Sequence, residues 1–283
     1  METIYLCIVV FLLCLAVFDL FVGVSNDAVN FLNSAIGAKV AKFRTVMIVA
    51  SAGVALGAVM SSGMMDVARH GIMQPSNFTF YDVMTIFLAV MVTDVIVLDM
   101  FNSLGMPTST TVSLVFELLG GTFVIAALKI ATDPSLQFGD LLNTDKALSV
   151  IVAIFVSVAI AFVFGCIVQW ISRVVFTFNY KKHSRYSIAL FGGIAFTSLA
   201  YFIFLKGICK SHYLDDNIRD WVQANTSMLL VYTFIGSSIV MQIFHLLRIN
   251  VFKFVVLMGT FGLAMAFAGN DLVNFIGVPL AGL

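Results

Sequence analysis

The chain has 283 residues, of which 61% are hydrophobic and only 11% charged, with 15 basic against 15 acidic side chains. A soluble domain carries about 25% charged residues, and a soluble fold of this size cannot hide so much apolar surface. The mean hydropathy of +1.06 therefore excludes a soluble enzyme, a disordered chain and a coiled coil, and the balanced charge argues against nucleic acid as a partner.

A membrane span with its loop takes roughly 30 to 35 residues, about 20 of them apolar, so the length allows about eight. Charge-poor apolar runs read as helices at 4–24, 46–64, 83–103, 111–130, 147–172, 187–205, 224–244 and 254–276. They are continuous and long, unlike the alternating segments of a membrane barrel. The expected fold is therefore all-α, a polytopic helical membrane protein. The first run lacks a basic leader, carries Glu2 and continues past Asp19, so it reads as a span and not a cleaved signal. Cys7, Cys14, Cys166 and Cys209 follow no pairing pattern and read as small buried hydrophobes. Gly53 and Gly57 form a helix-packing motif.

With the N-terminus outside and every run crossing, the loops 37–45, 104–110, 173–186 and 245–253 face the cytoplasm. They hold nine basic residues and no acid, whereas the opposite side has six basic residues and nine acids. This is the positive-inside pattern, and it orients the protein in a plasma (inner) membrane. With span ends taken to within several residues, six acids remain inside the spans: Asp19, Asp27, Asp94, Asp99, Glu117 and Asp271. An acid at bilayer depth costs a few kcal/mol or more and faces a cavity or a partner. With no Lys or Arg in mid-span, the missing counter-charge is a proton or a metal cation.

Asn26-Asp27-Ala28-Val29-Asn30-Phe31 recurs as Asn270-Asp271-Leu272-Val273-Asn274-Phe275, five of six positions matching. The first copy lies in a span running inward and the second in one running outward. Inverted repeats are a signature of secondary transporters, with the substrate site at their interface. Asn26 and Asn30 share a helix face, with Asp27 beside them. Gly23 and Ser25 before the first copy, and Gly269 before the second, lead us to expect broken helices whose freed carbonyls and N–H groups bind ions. A third feature is Pro107-Thr108-Ser109-Thr110-Thr111. Proline presets a helix start, Ser or Thr caps it, and free N–H groups there make an anion site. Gly120-Gly121 leaves open whether 105–130 crosses fully or forms a re-entrant hairpin.

Taken together, the two Asn-Asp-x-x-Asn copies and the Pro-Thr-Ser-Thr-Thr segment resemble the PiT family of inorganic phosphate transporters. The resemblance covers the whole chain. It implies phosphate as substrate, carried inward by cation symport through alternating access, with no cofactor beyond the transported ions, Na+ favoured over H+. It implies phosphate binding by Ser109, Thr110, Thr111, Asn30 and Asn274. It implies cation binding by Asn26, Asp27, Asn270 and Asp271, the two aspartates being the Na+ ligands. Asp94 and Asp99 are weaker candidates for ion access. The sequence departs from the family's pattern at Val112 and Phe267, where many members carry His, and at Val54, where some carry an acid; these positions bear on the coupling ion and its stoichiometry.

Residues 1–253 are expected to hold the first repeat and its connecting helices, and 254–283 the start of the second. No room remains for a second Ser/Thr segment, so a truncated chain is expected; the alternative is a half-site protein completed by a homodimer. The expected partners are then phosphate, a coupling cation and the lipid bilayer. A carrier of sulfate or another oxyanion is the runner-up function, and an ion channel the next. An intramembrane hydrolase is not expected, since His70, His183, His212 and His245 all fall in loops or at span ends.

Overall fold

The computed structural model describes residues 2–60, 77–133, 135–176, 185–203 and 215–272. Among them are ten helices and no strand: α1 (Glu2–Gly37), α2 (Phe43–Met60), α3 (Phe80–Ser103), α4 (Thr110–Thr132), α5 (Phe138–Leu141), α6 (Thr144–Phe176), α7 (Arg185–Ala200), α8 (Asp216–Ala224), α9 (Thr226–Leu246) and α10 (Val251–Asn270). Seven are long and apolar enough to cross a membrane, and Phe43–Val59 is a shorter apolar helix. This agrees with the expected all-α fold of about eight spans.

One expectation is corrected in the first motif copy. α1 runs unbroken through Gly23 and Ser25 to Gly37. A single glycine costs a helix only about 1 kcal/mol, and the Ser25 hydroxyl donates to the Phe21 carbonyl at 2.7 Å, bonding back along its own helix instead of opening it. At the second copy the helix does stop: α10 ends at Asn270 and Asp271 lies in a turn. Asn274 lies outside the described residues.

The chain forms two compact units. The first comprises the described parts of Met1–Asn30, Ser61–Phe155 and Asn270–Leu283; the second comprises those of Phe31–Met60 and Val156–Gly269. In the first unit, α3 opens with a capping box. Thr79 N–H donates to Asp82 Oδ2 at 2.9 Å, and Asp82 N–H donates to Thr79 Oγ1 at 3.2 Å. Two orphan backbone or side-chain groups are satisfied reciprocally. Lys129, in the last turn of α4, pairs with the same Asp82 at 2.8 Å, so the start of α3 and the end of α4 lie at one end of an antiparallel pair. Met84, Phe87 and Met91 of α3 pack with Leu114 and Leu118 of α4 and with Leu12 and Ala16 of α1.

Within that pair, α4 is one continuous helix through Gly120 and Gly121, so the hairpin alternative does not form. A methyl group at Gly121 would lie 3.3 Å from Ile86 Cγ2; this glycine serves the close approach of α3.

In the second unit, α2 crosses α10 with backbones nearly touching. A side chain at Gly53 would run into the Phe261 carbonyl oxygen, and one at Gly57 into that of Met265. Small residues permit this packing in membranes, where no hydrophobic force draws helices together. Gly57→Leu is therefore expected to lower the melting temperature of the detergent-solubilised protein, at a cost of about 1–3 kcal/mol or more; an unchanged melting curve would contradict the crossing. α7 and α9 meet through hydroxyls, with Ser237 Oγ donating to the Gly193 carbonyl at 3.2 Å and lying 3.1 Å from Thr197 Oγ1. Phe176, Phe191 and Phe252 pack ring to ring at 5.2–5.6 Å.

The most apolar window of α6 has no buried residue. A helix apolar all round is either a core helix or a membrane span, and this exposure makes α6 the latter. The same logic corrects the reading of the cysteines. Cys7, Cys14 and Cys166 are unbonded and exposed, because a small apolar side chain in a span can face outward at no cost. Cys209 lies outside the described residues.

Candidate functional site

The site grows from the turn that joins α3 to α4. Gly105 takes a left-handed φ of 67°, its N–H bonds to the Asn102 carbonyl, and Met106 N–H bonds to the Phe101 carbonyl, each at 3.0 Å. This is a Schellman motif, which satisfies carbonyls at the end of α3 and turns the chain sharply. Pro107 follows. Ser109 then caps α4, its Oγ accepting from Val112 N–H at 3.4 Å. Thr110 and Thr111 become the first two residues of the helix, at the end where N–H groups lack intrahelical partners.

The motif in α1 faces this helix start. Asn26 and Asp27 are buried, at 3% and 4% exposure, and Asn30 is exposed. Asp27 Oδ1 accepts from Asn30 Nδ2 at 3.2 Å, and the Thr110 hydroxyl sits beside the same carboxylate. Among the described residues, Asp27 Oδ2 has no hydrogen-bond donor. From the second motif copy, Asp271 Oδ1 accepts from the Thr111 hydroxyl at 2.7 Å. Two carboxylates far apart in sequence thus meet at adjacent threonines on one helix turn, close enough to feel each other's charge. The Thr hydroxyls and Asn amides around them are the hard oxygen donors that suit a monovalent cation. Among the described residues no three His, Cys, Asp or Glu side chains are arranged to hold a metal ion, so a cation here would rest on two carboxylates and neutral oxygens.

Asn26 has a different surrounding from the cation ligand expected of it. Its Nδ2 donates to Asn102 Oδ1 at 3.1 Å and to the Met106 carbonyl at 3.2 Å, and its Oδ1 accepts from Thr108 N–H at 2.8 Å. An amide has two N–H donors and two acceptor lone pairs, so one lone pair remains. Asn270 is the last residue of α10. Asp99 lies on the exposed side of α3.

Asp94, by contrast, is 1% exposed and joins a second group of acids. Its carboxyl lies close to those of Asp19 and Glu117 and to the Ser113 hydroxyl. Asp19 is fully buried, and Ser113 Oγ donates to Glu117 Oε1 at 2.7 Å. Among the described residues, both oxygens of Asp19, Oδ1 of Asp94 and Oε2 of Glu117 lack a donor, while Lys129 is engaged with Asp82. A cleft of about 740 Å³ between α3 and α4 is lined by Thr93, Thr108, Ser113 and Glu117 among its polar groups. The sequence signals mid-span acids without bases but not which of them meet, since the three stand on different helices.

Membrane helices whose repeated carboxylates converge on a helix N-terminus built of hydroxyls have the chemistry of a site for ions or small anions. The chain belongs to the Phosphate transporter family, whose model matches residues 23–283, and it is a phosphate transporter. Among solved structures it is similar to one titled "The sodium-dependent phosphate transporter", with a TM-score of 0.73 and 20% identity over 97% of this chain and 67% of that one; at this identity the likeness shows the fold. No curated protein matches the chain.

Proposed function

We propose that the protein imports phosphate across the plasma membrane by symport with Na+, its N-terminus outside, and that its inverted repeats alternate access to one shared site. The observation that carries this reading is the pairing of Asp27 with Thr110 and of Asp271 with Thr111 at the start of α4. An anion cannot sit beside two bare carboxylates. With Na+ on Asp27 and Asp271 the local charge is neutralised, and phosphate can lie against Ser109, Thr110, Thr111 and the helix N-terminus, flanked by the exposed Asn30. The sodium dependence of the structural neighbour supports the choice of cation. Energetics agrees. Each elementary charge is worth about 2.3 kcal/mol per 100 mV, so monovalent phosphate needs two cations before a negative interior drives it inward.

In the same reading, Asp94 serves ion access to the site, beside the cleft between α3 and α4. Residues 254–283 open the second repeat, which Asp271 represents at the site.

Counterflow tests the carrier mechanism and its substrate together. Proteoliposomes preloaded with phosphate should accelerate entry of labelled phosphate, and excess external sulfate should leave that entry unchanged. Entry without trans-stimulation would indicate a channel, and strong inhibition by sulfate a general oxyanion carrier.

A further inference from the structure

We propose that Asn102 is a positioning residue for this site: with Asn26 it forms an amide bracket that fixes the start of α4 against α1, and so sets the distance from Asp27 to Thr110. The proposal rests on the functional reading above for its transport arm alone. Asn102 stands one residue before the end of α3. Its Oδ1 accepts from Asn26, and its Nδ2 donates to the Val22 carbonyl of α1 at 2.9 Å. Asn26 then reaches past it to the Met106 carbonyl and the Thr108 N–H, which flank Pro107. Four hydrogen bonds thus tie one turn of α1 to the end of α3 and to the segment entering α4.

The arrangement has a direction. Asn26 is the immediate neighbour of Asp27 on a rigid helix, and Thr108 lies two residues before Thr110 across a segment whose φ is fixed at Pro107. A shift in the bracket therefore moves Thr110 relative to Asp27 without touching either side chain. Both bracket residues must be amides. Asp at 102 would set an anionic oxygen against the Val22 carbonyl. Asp at 26 would face two acceptors, Asn102 Oδ1 and the Met106 oxygen, with no proton to offer. Leu at 102 fills similar volume and removes both bonds. None of this is visible in the sequence, where Asn102 is a single polar residue at the end of an apolar run.

The experiment uses Asn102→Leu, Asn26→Leu and the double variant in the reconstituted transporter. Asn102→Leu should raise the KM for phosphate and the half-saturating Na+ concentration about tenfold, with kcat within about twofold, the loss expected when hydrogen-bonded groups are left unpaired. Because Asn102 acts largely through Asn26, the double variant should lose clearly less than the sum of the two single losses. A second arm does not depend on the substrate. Amide hydrogen exchange across 104–109 should quicken in Asn102→Leu while exchange in α9 stays as in wild type. Additive losses, an unchanged KM in an active wild type, or unchanged exchange at 104–109 would each overturn the proposal. A wild type that takes up no phosphate would defeat the functional reading, and the exchange arm would still decide the bracket.

Discussion

Replacing Asp27 with Asn is expected to abolish cation-coupled phosphate uptake while leaving membrane insertion intact. Asparagine has the volume of aspartate, and its carbonyl oxygen still accepts from Asn30 and Thr110, so α1 and the helix contacts around it persist. What disappears is one of the two charges that meet at the start of α4. That carboxylate is 4% exposed and one of its oxygens has no donor among the described residues, which leaves the oxygen to a cation. Removing the carboxylate that faces a buried cation costs about 3–5 kcal/mol, or more than a hundredfold in affinity. Initial rates of labelled phosphate uptake, normalised to the amount of reconstituted protein, provide the measurement. Wild-type rates in Asp27→Asn would remove Asp27 from the cation site.

The second large effect is expected at Thr111. Its hydroxyl is the donor to Asp271 at 2.7 Å, and Thr111→Val removes it with little change of shape. A hydrogen bond to a charged group is worth about 1.5–3 kcal/mol, so the half-saturating concentrations for Na+ and phosphate should rise about ten- to a hundredfold. Thr111→Ser keeps the hydroxyl and should restore most of the loss. If the Val variant transports with wild-type affinity, Thr111 is only the second residue of a helix and not part of the site.

Much of this architecture is legible in the residues. The apolar runs yield the spans, because a helix crossing hydrocarbon needs a length and polarity that few other structures share. The repeated Asn-Asp motif foretells that Asp27 and Asp271 belong together, and both lie against the Pro-Thr-Ser-Thr-Thr segment. The failures are local and have physical causes. Gly23 and Ser25 look like a break, yet a back-bonded serine and one glycine are tolerated inside a helix whose other bonds are intact. Gly120-Gly121 looks like a hairpin, but a glycine in a membrane helix also serves close packing, as Gly121 does against Ile86. Ser109 reads as an anion ligand and is also the cap of α4. The meeting of Asp19, Asp94 and Glu117, and the bracket of Asn26 and Asn102, depend on contacts between helices far apart in the chain, which periodicity cannot supply.

The central claim is that cations on Asp27 and Asp271 carry phosphate through the membrane with them. It is tested most directly by labelled phosphate uptake into proteoliposomes under an inward Na+ gradient, at fixed pH and clamped potential, with choline replacing Na+ in the control. The account predicts accumulation above the external phosphate concentration in Na+ and its collapse in choline. Equal accumulation in both would contradict it.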